Sequence, residues 1–433
     1  MSYTKIDAYL IYRQSFPLVA TFERSFVNTA KILVAAALLL ETSIAFGQIA
    51  ERTPAGSPSS SSTPPRLDPT DGHRPPPPHA KPPKLDAFSR EEWERIDGSI
   101  ERALAWIASQ QNNDGSFPTL ESGQPGVTSL CIMAFLSAGH LPAEGPYGDK
   151  LDRAIEYALG CQRDDGLFTA LPTDVPVTDW NGPTHAATYN HAITGLMLGE
   201  VYGSGGPRRS QRVATAIKKG VGLTRQLQLK SRRYGVDSGG WRYLKPVDLA
   251  GAEQSDLSTT GWQIMFLRSA MNAGFDIPGE YMDEATDYVK RCFNQQKKQF
   301  FYGIQGHHPL ATRAVTGSGL LCLYLSGKSD PEIERAAGDW MLSHPFTPYN
   351  KPINRMDRYH YGTYYCSQAA FQLGGDDWAT LYRRISETLL ANQHPDGSWD
   401  AESRDTGFGN VYSSALVVLT LTPPYQLLPI YQR

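Results

Sequence analysis

The chain has 433 residues and a formal net charge of −3, from 41 basic and 44 acidic side chains. This near-neutral balance argues against nucleic acid or an anionic membrane surface as an obligate partner. The five cysteines include no C-x-x-C pair, so they define neither a zinc ribbon nor a disulfide framework.

Residues 1–47 are predicted to be an export signal. Residues 31–46, KILVAAALLLETSIAF, contain a short apolar run that follows a lysine and ends in small residues. The run is too short to span a bilayer and is typical of a secretory signal peptide. The preceding segment is long for such a signal, so a start of translation at Val27 is one hypothesis. A leader that is never cleaved, and that associates the protein with the membrane, is the alternative.

Residues 48–87 are predicted to be a disordered linker. Proline and serine dominate this segment, and no apolar periodicity exists that would let it bury enough surface to fold. It is expected to act as an extended spacer between the signal and a folded domain. The expected location is therefore outside the cytoplasm, whether periplasmic, envelope-associated or secreted.

Residues 88–433 divide into six repeats of about 45–70 residues, a period that indicates a repeat array. Each repeat opens with an amphipathic helical segment, such as LDRAIEYALGCQ, and continues with a more uniformly apolar one, such as YNHAITGLMLGEVYG. The first kind is expected outside and the second inside, giving an all-α fold, an (α/α)6 toroid. An open solenoid is the alternative, but it would need polar capping repeats, and the last inner segment is SSALVVLTL.

A turn recurs after the outer segments as QQNNDGSF (110–117), CQRDDGLF (161–168) and NQHPDGSW (392–399). The glycine is expected to supply a positive φ, the Asp to hold the turn, the aromatic to pack into the seam, and the Gln to bond helix-end carbonyls. Because the turn recurs once per repeat, it is expected to be structural rather than catalytic. The residues assigned to it, with a reduced form in the third repeat, are Gln111, Asp114, Gly115, Phe117, Gln162, Asp165, Gly166, Phe168, Gly240, Trp241, Gln393, Asp396, Gly397 and Trp399.

These Gln–Gly–aromatic turns resemble the QW motifs of squalene–hopene and oxidosqualene cyclases and the related repeats of protein prenyltransferase β-subunits. The resemblance covers residues 88–425 and implies the α/α toroid that this superfamily shares. It does not by itself imply a reaction, since one fold supports many activities.

The acid motif of the cyclases, D-x-D-D-T, is matched only in part. The corresponding segment is DLSTT, in which Asp256 is present and Ser258 and Thr259 replace the other two carboxylates. Alkene protonation needs clustered carboxyls that keep one of them protonated, so squalene-type cyclisation is doubtful. A helix N-cap is the alternative role for Asp256.

The zinc site of the prenyltransferase β-subunits is also matched only in part. Their His would fall on His360, but the preceding repeat reads RAVTGSG (313–319) where an Asp and a Cys are needed. No metal and no cofactor is predicted.

The inner-helix N-termini are expected to open into one end of a central cavity, where helix dipoles favour an anion. Asp256, His360 and Arg313 are the candidates for acid–base and charge-stabilising roles. The candidates for ligand contacts in the cavity are His185, Tyr189, His191, Trp262, Tyr361, Tyr364 and Tyr412.

Two classes of function remain open. The protein is either a binding or scaffold module, or an enzyme that acts on an isoprenoid-like or polysaccharide substrate. A lipid, an isoprenoid or a glycan is the expected ligand class. The discriminating feature is whether an open cavity of ligand size reaches the three catalytic candidates, or whether Tyr361, Tyr364 and Trp262 fill it. The sequence does not define the oligomeric state.

Overall fold

The computed structural model describes residues 81–173, 182–230, 232, 234–244, 254–304, 311–328 and 330–432. The predicted export signal and the linker up to residue 80 lie outside these residues. Within the described part, no helix combines the length and the apolar character that a bilayer span requires.

Twelve α-helices alternate between outer and inner positions in the described residues, as the sequence predicts. The outer helices are α1 (Arg90–Ser109), α3 (Gly148–Gly160), α5 (Gly206–Gln228), α7 (Gly279–Arg291), α9 (Pro331–Ser343) and α11 (Gly375–Ala391). The inner helices are α2 (Gly126–Ser137), α4 (Pro183–Val201), α6 (Leu257–Asn272), α8 (Arg313–Ser326), α10 (Tyr359–Leu373) and α12 (Gly409–Leu421). A short hairpin, β1 (Phe293–Asn294) and β2 (Gln299–Phe300), forms the turn of the fourth repeat, with Phe293 opposite Phe300.

The difference between the two sets of helices follows from their sequence patterns. In α1 the buried side chains, among them Trp93, Ile96, Ile100 and Leu104, recur every three or four residues and form a single stripe. Ser89 begins this helix with a capping box that includes Glu92. In α2, by contrast, all twelve residues are buried, because the helix is packed on every side.

The inner helices form a closed ring. Each contacts the next along the chain, and α12 contacts α2, so the array has no open end. Small residues allow close approach within the ring: a Cβ added at Gly317 of α8 would lie 2.7 Å from the backbone nitrogen of Cys366 in α10. The predicted all-α toroid is therefore confirmed, and the open solenoid is wrong.

In four of the six repeats, a glutamine in the turn bonds the repeat to the next outer helix around the ring. The amide nitrogen of Gln111 donates to the carbonyl of Gly115 in its own turn, at 3.0 Å, and to that of Lys150 in α3, at 2.8 Å. The same pair of bonds recurs, with the carbonyl on the neighbouring outer helix named second, for Gln162 with Gly166 and Ala216, Gln228 with Gly239 and Tyr281, and Gln393 with Gly397 and Ser99. The glutamine thus bonds a neighbouring repeat, a long-range partner that the sequence did not indicate.

The other turn residues have the predicted geometry. Gly115, Gly166 and Gly397 have φ values of 93°, 94° and 97°, where only glycine is free of strain. The Asp before each glycine accepts a bond from the backbone N–H two residues later, as in Asp396 with Ser398 at 2.9 Å. The turn aromatics, among them Trp399, are buried. In the third repeat the positive φ falls on Gly239, and Gly240 instead packs against Tyr288.

Two segments outside the repeats also contact the toroid. Leu85, near the end of the predicted linker, is buried, and Pro83 pairs with Gly375 at the start of α11. At the other end of the chain, residues 429–431 lie at the C-terminal side of the inner helices. There the carbonyl of Tyr431 accepts a bond from Gln372, at 2.8 Å.

Candidate functional site

A cavity of about 640 Å³ opens at the N-terminal end of the inner helices. Its lining residues come from the N-terminal one to three turns of α2, α4, α6, α8, α10 and α12 and from the loops that precede them. The volume lies within the range of roughly 300–1,000 Å³ that is typical of small-molecule sites. The cavity thus has the predicted position in the fold.

Aliphatic and aromatic side chains form most of the wall. The aliphatic side chains come mainly from α2, α4 and α8, and the tyrosines come from helices and turns of several repeats. Among the lining residues are Val127, Leu130, Ile193, Val315, Met356, Phe408, Tyr189, Tyr243, Tyr302 and Tyr412. Such a surface favours an apolar ligand body, because burying apolar area is worth roughly 25 cal/mol per Å².

Aromatic side chains form the floor of the cavity. The indole nitrogen of Trp262 donates to the Tyr361 hydroxyl at 2.7 Å, and its ring stacks on Tyr364 with an interplanar angle of 11°. The Tyr364 hydroxyl is hydrogen-bonded in turn to that of Tyr431 in the C-terminal segment. Burial raises the pKa of Tyr361 and Tyr364 well above the usual value, so both stay neutral. These aromatic side chains fill the centre of the ring below the cavity, and the cavity itself is open at the N-terminal end of the inner helices. Each of the two sequence alternatives therefore describes one end of the ring.

Arg355, Arg358 and Arg404 line the mouth, which is the open end of the cavity. Arg358 forms an ion pair with Asp405, with Nη2 3.2 Å from Oδ1, and both side chains are partly exposed. Arg355 and Arg404 are exposed, and neither has a hydrogen-bond or ion-pair partner among the described residues. Asp405 is the one carboxylate among the described lining residues, so the mouth carries an excess of positive charge.

Another arginine, Arg242, lies in the wall of the cavity and not at its mouth. Its Nη1 lies 2.8 Å from Oδ2 of Asp256, and its side chain is 10% exposed while Asp256 is fully buried. Burial opposes the charge on Arg242, but Asp256 raises the pKa of the guanidinium above its usual value. The guanidinium carbon lies 4.5 Å from the ring centre of Tyr243, which holds the group against the wall.

Asp256, the first catalytic candidate, is the N-cap of α6 and lies behind the cavity wall. Its Oδ1 accepts bonds from the backbone N–H of Thr259 and the hydroxyl of Ser258, each at 2.7 Å. Its Oδ2 accepts from Thr259 Oγ1 at 3.0 Å as well as from Arg242. Asp256 therefore has the geometry of a helix N-cap, the alternative role that the sequence offered.

Arg313 and His360 also lie outside the cavity lining. Arg313 is buried in an ion pair with Asp357, with Nη2 2.6 Å from Oδ2. His360 is buried at the start of α10, where the Glu402 carboxylate accepts its backbone N–H at 2.8 Å and lies 3.7 Å from its Nδ1. The structure does not bring Asp256, Arg313 and His360 together at the cavity, and their catalytic role stays a prediction.

Of the seven predicted ligand contacts, five line the cavity. These are His185, Tyr189, Trp262, Tyr361 and Tyr412. Tyr364 lies under Trp262, in the floor. His191 is fully buried, with Nε2 3.0 Å from the hydroxyl of Thr224 and its ring beside Phe168 and Phe266. Burial lowers the pKa of His191 to about 4, so the ring is neutral at pH 7.

The sequence did not indicate several polar residues of the lining, among them Arg242, Tyr243, Tyr302, Arg355 and Arg404. All five precede inner helices, in the turns and connections that form the mouth. Arg242 directly follows the turn aromatic Trp241, but the equivalent residues of the other turns, Pro118, Thr169 and Asp400, do not line the cavity, so the repeat pattern did not indicate it. In the described residues, no group of three His, Cys, Asp or Glu side chains is arranged to hold a metal ion.

Alternating outer and inner helices, closed around a cavity at the inner-helix N-termini, define an α/α-toroid protein. Neither a protein-family model nor a curated protein matches the chain in sequence. Among solved structures, a variant of the type II terpene cyclase MstE from Scytonema, in complex with geranylgeranyl dihydroxybenzoate, is similar. Its TM-score is 0.51 at 15% identity, over 78% of this chain and 100% of the cyclase chain.

Two further structures are similar to a comparable degree. Another MstE variant, without ligand, has a TM-score of 0.51 at 14% identity, over 79% of this chain and 100% of its own. A glycosidase variant in complex with glucose has a TM-score of 0.49 at 12% identity, with the same coverage. The cyclase likeness supports the toroid fold. At these identities it extends to the fold alone.

Proposed function

We propose that the protein is a binding module whose cavity takes an amphiphile with an extended apolar body and an anionic head. The observation that carries this proposal is the pairing of an apolar and aromatic lining with two exposed arginines, Arg355 and Arg404, that have no partner at the mouth. An apolar body would be bound by burial against the wall, and its head would lie among the arginines.

The orientation of the inner helices adds to the attraction for an anion. All six present their N-termini at the mouth, and the partial positive charge of a helix N-terminus favours a carboxylate or phosphate within the first turn. Each such contribution is worth about 0.3–1 kcal/mol near the surface, less than a charge-assisted bond to an arginine. The arginines are therefore expected to dominate head-group binding.

An isoprenoid is one apolar body of this type. The ligand of the MstE complex described above, geranylgeranyl dihydroxybenzoate, is an example from a protein of the same fold. A straight acyl chain satisfies the same chemistry, so the two chain types need to be compared directly.

Acid-initiated cyclisation has less support. It needs a protonated carboxyl at the cavity, and the lining carboxylate among the described residues, Asp405, is engaged in an ion pair with Arg358. The buried Asp256 already accepts four hydrogen bonds and stands behind Arg242. Binding is thus better supported than alkene protonation.

Calorimetric titration of the full-length protein tests the proposal. The probes are geranylgeranyl monophosphate, stearate, geranylgeraniol and inorganic phosphate. We expect micromolar binding of at least one of the two anionic amphiphiles, at least tenfold weaker binding of the alcohol, and no binding of phosphate alone.

The matched variants are the double charge reversal Arg355→Glu with Arg404→Glu, and Arg208→Glu on the outer helix α5. Arg208 is exposed and does not line the cavity. The double variant should lose at least tenfold in affinity, and the Arg208 variant should bind as the wild type does. Failure of both amphiphiles to bind, or equal loss in both variants, would overturn the proposal.

The proposed site of action is outside the cytoplasm, on the basis of the apolar run within residues 31–46. Cell fractionation with Leu38→Arg and Leu39→Arg tests this, because charges in that run should retain the protein in the cytoplasm. N-terminal sequencing of the exported form distinguishes a cleaved signal from a permanent anchor. An unchanged distribution of the variant would contradict the prediction.

A further inference from the structure

Arg242, Asp256, Ser258 and Tyr189 are linked by hydrogen bonds into a unit at one wall of the cavity, and the network continues from Arg242 to Tyr302 and Tyr243. Arg242 Nη1 donates to Asp256 Oδ2 at 2.8 Å, and the Ser258 hydroxyl donates to Asp256 Oδ1 at 2.7 Å. The Ser258 oxygen lies 2.7 Å from the hydroxyl of Tyr189. Since Ser258 has one hydrogen and Asp256 takes it, the phenol must be the donor to Ser258. The direction of the whole chain is thereby fixed.

Among these four side chains, Arg242 keeps a donor group and Tyr189 keeps an acceptor for a ligand in the cavity. Arg242 directs Nη1 at Asp256 and at Tyr302, and its Nε is buried without an acceptor. Its Nη2 has no hydrogen-bond partner among the described residues and is not among the buried unbonded atoms, so it is available to a ligand in the cavity that Arg242 lines. Tyr189 donates its hydrogen inward and keeps lone pairs on its oxygen.

Both groups lie beside the ring of Tyr243. The guanidinium of Arg242 is 4.5 Å from the ring centre of Tyr243, and the ring of Tyr189 is 6.0 Å from the same ring. Both residues line the cavity and both are held through the one carboxylate of Asp256. This wall therefore offers both a hydrogen-bond donor and a hydrogen-bond acceptor to a ligand in the cavity.

Charge decides which ligand atom suits the unit. Asp256 neutralises Arg242, so a second anion there would meet an ion pair and not a free cation, and it would be repelled by the carboxylate. Burial raises the pKa of Tyr189 well above the usual value, so the phenol remains protonated. An uncharged oxygen, in contrast, can accept from Nη2 and donate to the phenol oxygen without displacing either internal bond.

We infer that this unit is a second polar subsite, distinct from the basic mouth, that binds a hydroxyl group carried on the apolar body of the ligand. In it, Arg242 and Tyr189 contact the hydroxyl, and Asp256 acts as a positioning residue. The inference rests on the proposed function, since it assigns a further specificity to the same cavity. It names the ligand class as a hydroxylated anionic amphiphile.

Binding of stearate and of hydroxystearates that carry the hydroxyl at different carbons tests the subsite. We expect at least one positional isomer to bind the full-length protein at least fivefold more tightly than stearate. Tyr189→Phe should reduce that preference, the ratio of the hydroxystearate affinity to the stearate affinity, at least threefold, because the variant removes only the hydroxyl. A melting curve establishes that the variant is folded.

The variant Asp256→Asn distinguishes a positioning role of Asp256 from a general effect on the stability of the protein. Asparagine retains the N-cap to Thr259 but leaves the charge of Arg242 uncompensated. In this variant the preference for hydroxystearate over stearate should fall. The affinity for octadecanedioate, which has a second carboxylate at the far end of the same chain, should rise at least fivefold relative to that for stearate. Asp405→Asn adds the same charge at the mouth and should raise binding of both anions equally.

The outcomes separate this inference from the proposed function. If stearate binds but no hydroxystearate binds more tightly, the subsite is wrong and the proposed function stands. If Asp256→Asn, while folded, lowers the binding of every probe equally, Asp256 is structural and the positioning role is overturned. If neither the acyl probes nor geranylgeranyl monophosphate bind, the proposed function fails and the subsite fails with it.

Discussion

Gln393 and Ser99 join the last outer-helix turn to the first outer helix. The amide nitrogen of Gln393 donates to the Ser99 carbonyl at 2.9 Å, across 294 positions of sequence. Its amide oxygen accepts a bond from the Ser99 hydroxyl, also at 2.9 Å. The bonds that fasten one repeat to the next along the chain thus also close the ring.

Replacement of Gln393 by Leu is expected to destabilise the protein by about 1–3 kcal/mol, because the carbonyls of Ser99 and Gly397 both lose a donor in a partly buried seam. Denaturant unfolding measures the loss, and hydrogen exchange in α1 and α11 locates it. Gln211→Leu, at an exposed position of α5, is the control and should change little. Equal effects of the two changes would contradict the closing role of Gln393.

Replacement of Gly166 by Ala is expected to lower the free energy of unfolding by about 1–3 kcal/mol or more. A Cβ there would lie 2.5 Å from the carbonyl oxygen of Lys219 in the neighbouring outer helix, and the backbone φ is +94°. Gly222 offers the opposite case, since it is helical and nothing lies within 4 Å of an added Cβ. Gly222→Ala should stabilise the protein by about 0.5–1 kcal/mol. Thermal unfolding of both variants measures the contrast, and a shift in the same direction would refute it.

Replacement of Arg313 by Met is expected to destabilise the protein by about 3–5 kcal/mol, because it leaves Asp357 buried and unpaired. Arg313 also donates to the carbonyls of Pro345 and Lys351, so it ties their loop to α8. The double variant with Asp357→Leu should recover part of the loss in urea unfolding.

The same variant tests the catalytic role predicted for Arg313. Because Arg313 does not line the cavity, binding of the anionic probes to the folded variant should be unchanged. A folded variant that loses binding or activity would instead support a direct role for this arginine.

Stability is expected to fall as the pH decreases from about 6.5 to about 4, in part through His191. Burial lowers the pKa of His191 to about 4, below its value of about 6.5 in an unfolded chain. In that window the unfolded state binds a proton that the native state does not, so protonation favours unfolding, by on the order of 3 kcal/mol at most. Urea unfolding of the wild type and of His191→Gln, from pH 7 to pH 4, measures the difference. A variant with the same pH slope as the wild type would contradict this assignment.

Glu200 is expected to change the stability with pH in the opposite direction. Burial raises its pKa to about 7, against hydrogen bonds from Ser269 and the backbone N–H of Ile430 that lower it. Between about 4.5 and 7 the unfolded state releases a proton that the native state keeps, so stability is lost as the pH rises through this window. Glu200→Gln should remove that loss in the same titration. An unchanged profile would show that the carboxyl is ionised in the folded protein.

The sequence alone determined the alternation of helices and the toroid. Helix positions follow from local periodicity: a three-to-four-residue stripe in α1 requires one buried face, and a wholly apolar segment such as α2 requires burial all round. Likewise, the positive φ of Gly115 and its equivalents follows from local turn chemistry. The cavity end was predictable too, since every inner segment enters the ring from the same side.

Only the tertiary structure decided which side chains reach the cavity. Asp256 and Arg242 are 14 positions apart, yet one is hidden and the other lines the wall, because the N-cap geometry turns the carboxylate inward and holds the guanidinium in front of it. Arg313 and Asp357 are 44 positions apart, and their pairing withdraws a predicted site residue into the core. Such contacts depend on how separate repeats meet around the ring, and periodicity within one repeat contains no information about them.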